Sequence, residues 1–460
     1  MQQTTSPPPR PAPGAGARAL AAARSTLAPT DPVARPLTWA TMTSSLSSGL
    51  FYSVSALFFT RSVGLEATTV GLGLTVAGAV GVAGSFAAGR LADRLGASRV
   101  LLAATLGQGL ALLVYVLASS TPAFVATACA AVGLRSMQGT ARSALLARSF
   151  TGADRVVVRA RLRVVTNVFI GLGTVAAGVA LLADTATAYR TAMVAAGLLV
   201  VASCAPLVGL VRRQGAAASD AAASGTAAPP GIAAPSGAAA PTGGAGGAPD
   251  RGRSPLRDRR YLAVTALNAV MAMHFGLQTV GVPLWVASHT QAPAVTVAAL
   301  LVLNTVLVAL FQVRAARGTD DIGSAGRAVL RAGVLLALAC SLYAAAGTGG
   351  AVLAVVLLVG AAVAHTAAEM VGEAGSWGLA FELADERSAG AYQGVSQAGY
   401  SVGSMLAPLV VTATAIEHGA AGWAVLAVVF LAAGTLTRLV VRSAAAPART
   451  PARSTGVTAL

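Results

Sequence analysis

Gly89-Arg-Leu-Ala-Asp-Arg-Leu-Gly-Ala-Ser-Arg99 is a charged island between two apolar runs, residues 70–88 and 100–117. About 18 or 19 uncharged residues at 1.5 Å per residue match the roughly 30 Å hydrocarbon core of a bilayer. A stretch holding Arg90, Arg94 and Arg99 cannot stay in that core, so the island reads as the water-facing turn of a membrane hairpin. An ordinary basic turn would explain the arginines. It would not explain why glycine, aspartate and arginine recur at these intervals.

Hydrophobic residues make up 55% of the chain and charged residues 10%, and the mean hydropathy is +0.71. Water-soluble cores of this length could not hide so much apolar surface, so the chain reads as an all-α integral membrane protein. The net charge of +16 does not imply a nucleic-acid partner. Every basic residue is arginine, scattered between apolar runs, and no continuous basic face forms. The arginines carry topology instead: with both termini in the cytoplasm, only Arg61 and Arg190 fall in outer loops, which predicts a multi-pass cell-membrane protein with both ends inside. Cys129, Cys204 and Cys340 each lie within an apolar run without Cys-x-x-Cys spacing and read as packing residues. No metal or cofactor is expected.

The chain divides by composition. Residues 1–36, rich in Pro, Ala and Arg, read as a disordered cytoplasmic tail, 37–213 as a six-helix bundle, and 214–258 as a flexible cytoplasmic linker of small residues. Residues 259–442 read as a second six-helix bundle and 443–460 as a cytoplasmic tail. The first apolar run carries Thr41, Thr43, Ser44, Ser45, Ser47, Ser48 and Tyr52, hydroxyls that either face a cavity or bond back within the bundle. About twelve spans result, six on each side of the linker. A degenerate charged loop, Arg314 to Arg327, stands where a parallel repeat would put the echo of the first.

On Gly89, Leu91, Asp93, Arg94, Gly96 and Arg99 the chain resembles the major facilitator superfamily, whose signature G-x-L-x-D-R-x-G-x-x-R joins its second and third helices. Ala97 stands where that signature usually has an arginine. A second likeness is Arg135-x-x-Gln138-Gly139, which resembles the family's fourth-helix R-x-x-Q-G motif, whose arginine is associated with proton coupling in drug/proton antiporters. The antiporters' Gly-Pro signature in the fifth helix has no counterpart: 167–178 holds Gly171, Gly173 and Gly178 but no proline. The resemblance implies two bundles of about twelve transmembrane helices rocking about a midplane site. It makes Gly89, Asp93, Arg94, Gly96 and Arg99 a conformational switch, with Asp93 packed on the start of the eleventh helix near Ser388.

Chemistry inside the membrane needs polar side chains with a reason to be there. Arg135 lies within the fourth run at a cost of at least about 2.5–3.5 kcal/mol unless it meets water or a partner, or snorkels to the interface. His365, Glu369 and Glu373 follow one another at i, i+4 in the tenth run, with Trp377 one turn on, so one helical stripe offers an imidazole, two carboxylates and an indole. Proton exchange at Glu369 and Glu373, balanced between desolvation and a nearby arginine, is the economical use of that stripe. Arg135 is the cation expected to face it. Gln138, His274, Gln278, His365 and Trp377 are expected to line the substrate cavity, with Asn268 near them; Asn167 and Asn304 read as bonds between helices. Gly399-Tyr-Ser401-Val-Gly403 matches a nucleophile elbow only in letters, since no strand precedes it, and no phosphate-binding loop is present. The chain is not expected to be an enzyme.

The expectation is a secondary active transporter, a monomer, exporting a small amphipathic drug or metabolite in exchange for protons. Proton-linked import of a small metabolite is the alternative, and a membrane sensor or scaffold that moves nothing is the rival from another class.

Overall fold

The computed structural model describes residues 26–59, 66–224 and 253–445. The expected tail up to residue 25, the outer-loop Arg61, the linker from 225 to 252 and the tail from 446 lie outside the described residues. Among those described there is no strand. The first half contains α1 (Ala34–Leu57), α2 (Ala67–Leu95), α3 (Ala97–Tyr115), α4 (Thr121–Ser149), α5 (Gly152–Ala183) and α6 (Ala186–Ala202, resuming after Ser203 as Cys204–Ser224). The second contains α7 (the continuous span Arg259–His289), α8 (Val295–Ala315), α9 (Ile322–Ala346), α10 (Ala351–Glu382), α11 (Ala389–Val411) and α12 (Glu417–Ala445). α6 runs to Ser224, past residue 214 where the linker was expected to begin.

Nine of the described stretches are long and apolar enough to cross a membrane. One of them, Glu386–Ser443, is two spans, because Gly419 (φ 57, ψ −133) kinks the chain where α11 gives way to α12. The remaining two of the twelve are the most polar by design of their inner faces: α1 with its hydroxyls, and α4 with Arg135, Gln138 and Arg142. Outward-facing Val175, Val179 and Leu182 on α5 and Val352 and Val356 on α10 are exposed, an apolar exterior suited to lipid.

Packing repeats with the sequence halves. α1 packs on α5 and α6, α2 on α4, and α3 on α4 and α6; in the second half α7 packs on α11 and α12, α8 on α10, and α9 on α10 and α12. The bundles meet along α2–α11 and α5–α8, two contacts that exchange when the halves are exchanged. This is the arrangement of a parallel repeat related by an axis along the membrane normal. Small residues permit the tight crossings: a Cβ on Gly173 of α5 would stand 2.1 Å from the carbonyl oxygen of Leu46 on α1.

The charged island is shorter as a loop than its composition suggested. α2 continues to Leu95 and α3 begins at Ala97, so the turn is Gly96 alone, at φ 92 and ψ 134, a backbone state that L side chains adopt at a cost. The degenerate second loop does something else. Asp321 caps α9, accepting from the Ser324 amide at 2.9 Å and from its hydroxyl, which holds the carboxyl below its ordinary range.

Candidate functional site

The end of the molecule that carries Gly96 is latched. Asp93 on α2 accepts the amides of Gly390 and Ala391 at the start of α11, each at 2.8 Å, and the Arg148 guanidinium of α4 at 2.6 Å. A carboxylate is favoured there twice over, by free amides at a helix start and by the positive end of the helix dipole. Gly89 makes the approach possible: a Cβ on it would stand 2.5 Å from the Gly390 carbonyl oxygen. Nearby, Arg155 pairs with Glu382 at 3.6 Å, and Arg159 lies 5.1 Å over the Trp377 ring and 5.5 Å over Phe381. These α5–α10 contacts close the latch end. Arg94 and Arg99 stand exposed beside it.

Behind the latch, between the bundles, lies a cavity of about 540 Å³. α1 contributes Ser48 and Tyr52, α4 Arg135, Gln138 and Arg142, α5 Arg159 and Arg163, α7 Asn268 and His274, α10 Glu373 and Trp377, and α11 Tyr400. Four arginines therefore face one carboxylate. Arg135 donates to the Ser48 hydroxyl at 2.9 Å and lies 5.2 Å over Tyr52; Gln138 donates to Gln108 at 2.6 Å; Arg159 donates to Ser143 at 3.0 Å. Arg142 makes no hydrogen bond among the described residues, so its donors are available to whatever enters.

A second carboxylate lies just outside the cavity wall. Glu369, 2% exposed, accepts Arg163 at 3.0 Å on one oxygen and Asn304 of α8 at 2.8 Å on the other. Asn304 also reaches Thr366 at 3.1 Å, joining α8 to α10 as the sequence indicated. Beyond it His365 meets His274 at 3.1 Å and Tyr343 at 3.4 Å.

A profile of the Major Facilitator Superfamily matches residues 37–408. The chain belongs to that family. Among solved structures it is similar to the human organic anion transporter MFSD10 (TETRAN), with a TM-score of 0.63 and 16% identity over 89% of this chain and 99% of that one. It is also similar to a bacterial homologue of the iron transporter ferroportin in an outward-facing state with soaked iron, with a TM-score of 0.65 and 14% identity over 89% and 98%. The same homologue without that soak gives 0.61 and 16% over the same shares. At these identities the likeness is one of fold. No curated protein matches the chain in sequence.

Within this major facilitator fold the predicted residues divide. Gln138, His274, Glu373 and Trp377 line the cavity, and Arg135 does so against α1. Arg135 is not the partner of Glu369: it is spent on Ser48 and Tyr52, and Arg163 takes that place from α5. Gln278 and His365 do not reach the cavity and instead line a small void among α7, α8, α9 and α10. Gln278 lies in a π-turn of α7, Leu277–Gly281. His365 is held on the inner side of its bundle by His274 and Tyr343.

From the sequence, Arg142, two turns beyond Arg135, reads as reaching the cytoplasmic interface, and Arg159 and Arg163 as part of a charged loop over residues 148–163. The charge in 148–163 suggests a span that begins only where the charge ends, yet α5 begins at Gly152. Arg155, Arg159 and Arg163 are spaced by four, a helical stripe visible in the sequence once the charge is allowed to face a cavity.

Proposed function

We propose that the chain is a proton-coupled secondary transporter whose cargo is a small organic anion, carried by alternating access. The single observation that carries this reading is the four arginines, one of them unpartnered, around a cavity with one carboxylate. The charge narrows the expected amphipathic cargo to an anion, while Tyr52, Trp377 and Tyr400 offer ring faces to an apolar part. A transporter of similar fold is described as an organic anion transporter; the cavity chemistry, more than that likeness, supports the assignment here. A metal cargo such as the iron of the ferroportin homologue suits the site poorly, because among the described residues no three His, Cys, Asp or Glu side chains converge.

The proton sites in this proposal are the α10 carboxylates Glu369 and Glu373. The reading takes both termini and the latch to lie on the cytoplasmic side of a cell membrane, as the positive-inside rule expects, which makes the latched arrangement the one closed to the cytoplasm. The working unit in this reading is a monomer.

The test is equilibrium binding of a charge-matched pair to purified protein: benzenesulfonate, anionic at every working pH, and phenyltrimethylammonium, a permanent cation. Benzenesulfonate is expected to bind and phenyltrimethylammonium not to. Arg142→Met is expected to weaken the anion by roughly 10- to 150-fold, the equivalent of one charge-assisted contact of about 1.5–3 kcal/mol. Binding of the cation in preference, or of neither probe, would overturn the anion assignment.

A further inference from the structure

We infer that the anion, held by Arg142, and a proton, held at the adjoining cluster of Glu373 with Arg159 and Arg163, bind this cavity together, so that the protein is an anion–proton symporter and not an exchanger. The inference rests on the anion reading above. It replaces the antiport expected from the Arg135 motif by the alternative, proton-linked uptake.

The geometry assigns different tasks to the two carboxylates. Glu369 is 2% exposed and has both oxygens engaged, by Arg163 and by Asn304. Glu373, one turn further on α10, is half-buried, lines the cavity, and among the described residues makes neither an ion pair nor a hydrogen bond. Its electrostatic neighbours are Arg163 and Arg159 of α5 and Glu369 on its own helix. Tyr400 of α11, His274 of α7 and Arg142 of α4 face the same space, and α9 contributes only the apolar Leu336 there. Glu373 is thus the carboxylate that water, and a solute, can reach.

The sign of coupling follows from charge. An ionised Glu373 cancels part of the field that Arg142, Arg159 and Arg163 set up in the cavity. When it takes a proton from water on the open side, that cancellation ends, and the arginines hold an anion more tightly. By reciprocity the bound anion holds the proton more tightly, by the same factor. Two ligands that favour each other's binding cross together, and Glu373 gives its proton to water on the other side as the anion leaves. Exchange would need them to compete, as a proton and a cationic drug compete for one carboxylate. The cavity's excess of arginine suits the first case.

The experiment uses the full chain in proteoliposomes holding a dextran-linked pH dye, with membrane voltage clamped by potassium and valinomycin. An inward gradient of benzenesulfonate is imposed. Symport is expected to acidify the interior with about one proton per sulfonate. Binding of benzenesulfonate to detergent-purified protein should also tighten as pH falls from 8 to 5, within the usual 5- to 150-fold range of coupling between linked sites. Because the sulfonate does not titrate there, the slope belongs to the protein. Glu373→Gln is expected to bring the proton-to-sulfonate ratio near zero and to flatten the pH dependence of binding. Sulfonate entry with alkalinisation or no pH change, or a Glu373→Gln protein that keeps the parent's ratio, overturns symport at Glu373 while leaving the anion assignment standing. No sulfonate entry at all removes both.

Discussion

Asp93→Asn is expected to unlatch the Gly96 end and to shift the conformational equilibrium by about 150-fold toward the state open at that end. The carboxylate accepts three charge-assisted bonds, from the Gly390 and Ala391 amides and from Arg148, and it holds two elements of opposite bundles together. Asparagine keeps one acceptor oxygen and turns an amide donor toward groups that themselves donate. A net loss of about 3 kcal/mol is a conservative sum for such bonds, and at about 1.4 kcal/mol per tenfold it gives the stated shift. Opening requires these contacts to part, so the variant should populate the opened state at rest. Spin labels at Arg94 and Glu386, on a background without Cys129, Cys204 and Cys340, would read the distance across the latch. Affinity for benzenesulfonate should change far less, because Asp93 lies outside the cavity. A distance distribution indistinguishable from the parent's would remove Asp93 from the switch.

Arg163→Met is expected to destabilise the folded protein by about 3–5 kcal/mol, the usual cost of stranding one member of a buried pair. Glu369 would keep only Asn304 in a place from which water is excluded. The cost arises from the stranded carboxylate, more than from the lost attraction. Glu369→Gln in the same chain should therefore restore most of the stability, since a neutral amide at that position needs no counter-ion and an apolar residue fills the volume of the arginine. Denaturant unfolding of the two single variants and the double variant in detergent gives the comparison. A double variant as unstable as Arg163→Met would mean that the arginine acts through packing against Phe275, over whose ring it lies at 5.1 Å.

The fold was legible because lipid leaves few alternatives: apolar runs of bilayer length, small residues at crossings and arginine on one side specify a helical bundle with little else. The latch was legible for a narrower reason. Gly89, Asp93 and Gly96 each answer a local demand, for close approach to Gly390, for an acceptor at free amides and for a positive φ, and such demands leave fixed spacings in a sequence. The cavity was only half legible. Arg135 and Glu373 stand inside apolar runs and announce themselves, whereas Arg159 and Arg163 sit where a helix passes from the basic interface into the bundle, and composition assigns them to the interface. Pairing was not legible either. Nothing in the spacing of Glu369 distinguishes Arg135 from Arg163 as its partner; that choice is made by which helix faces which.

In the proposed transport cycle an organic anion sits in the arginine-lined cavity. The most direct measurement is a structure of the protein with 4-iodobenzenesulfonate, locating the iodine by its anomalous scattering. One iodine is expected between the bundles, with the sulfonate on the Arg142 guanidinium and the ring against Tyr52, Trp377 or Tyr400, and that signal should disappear in Arg142→Met. An empty cavity at saturating probe, or iodine only at the lipid-facing surface, would contradict it.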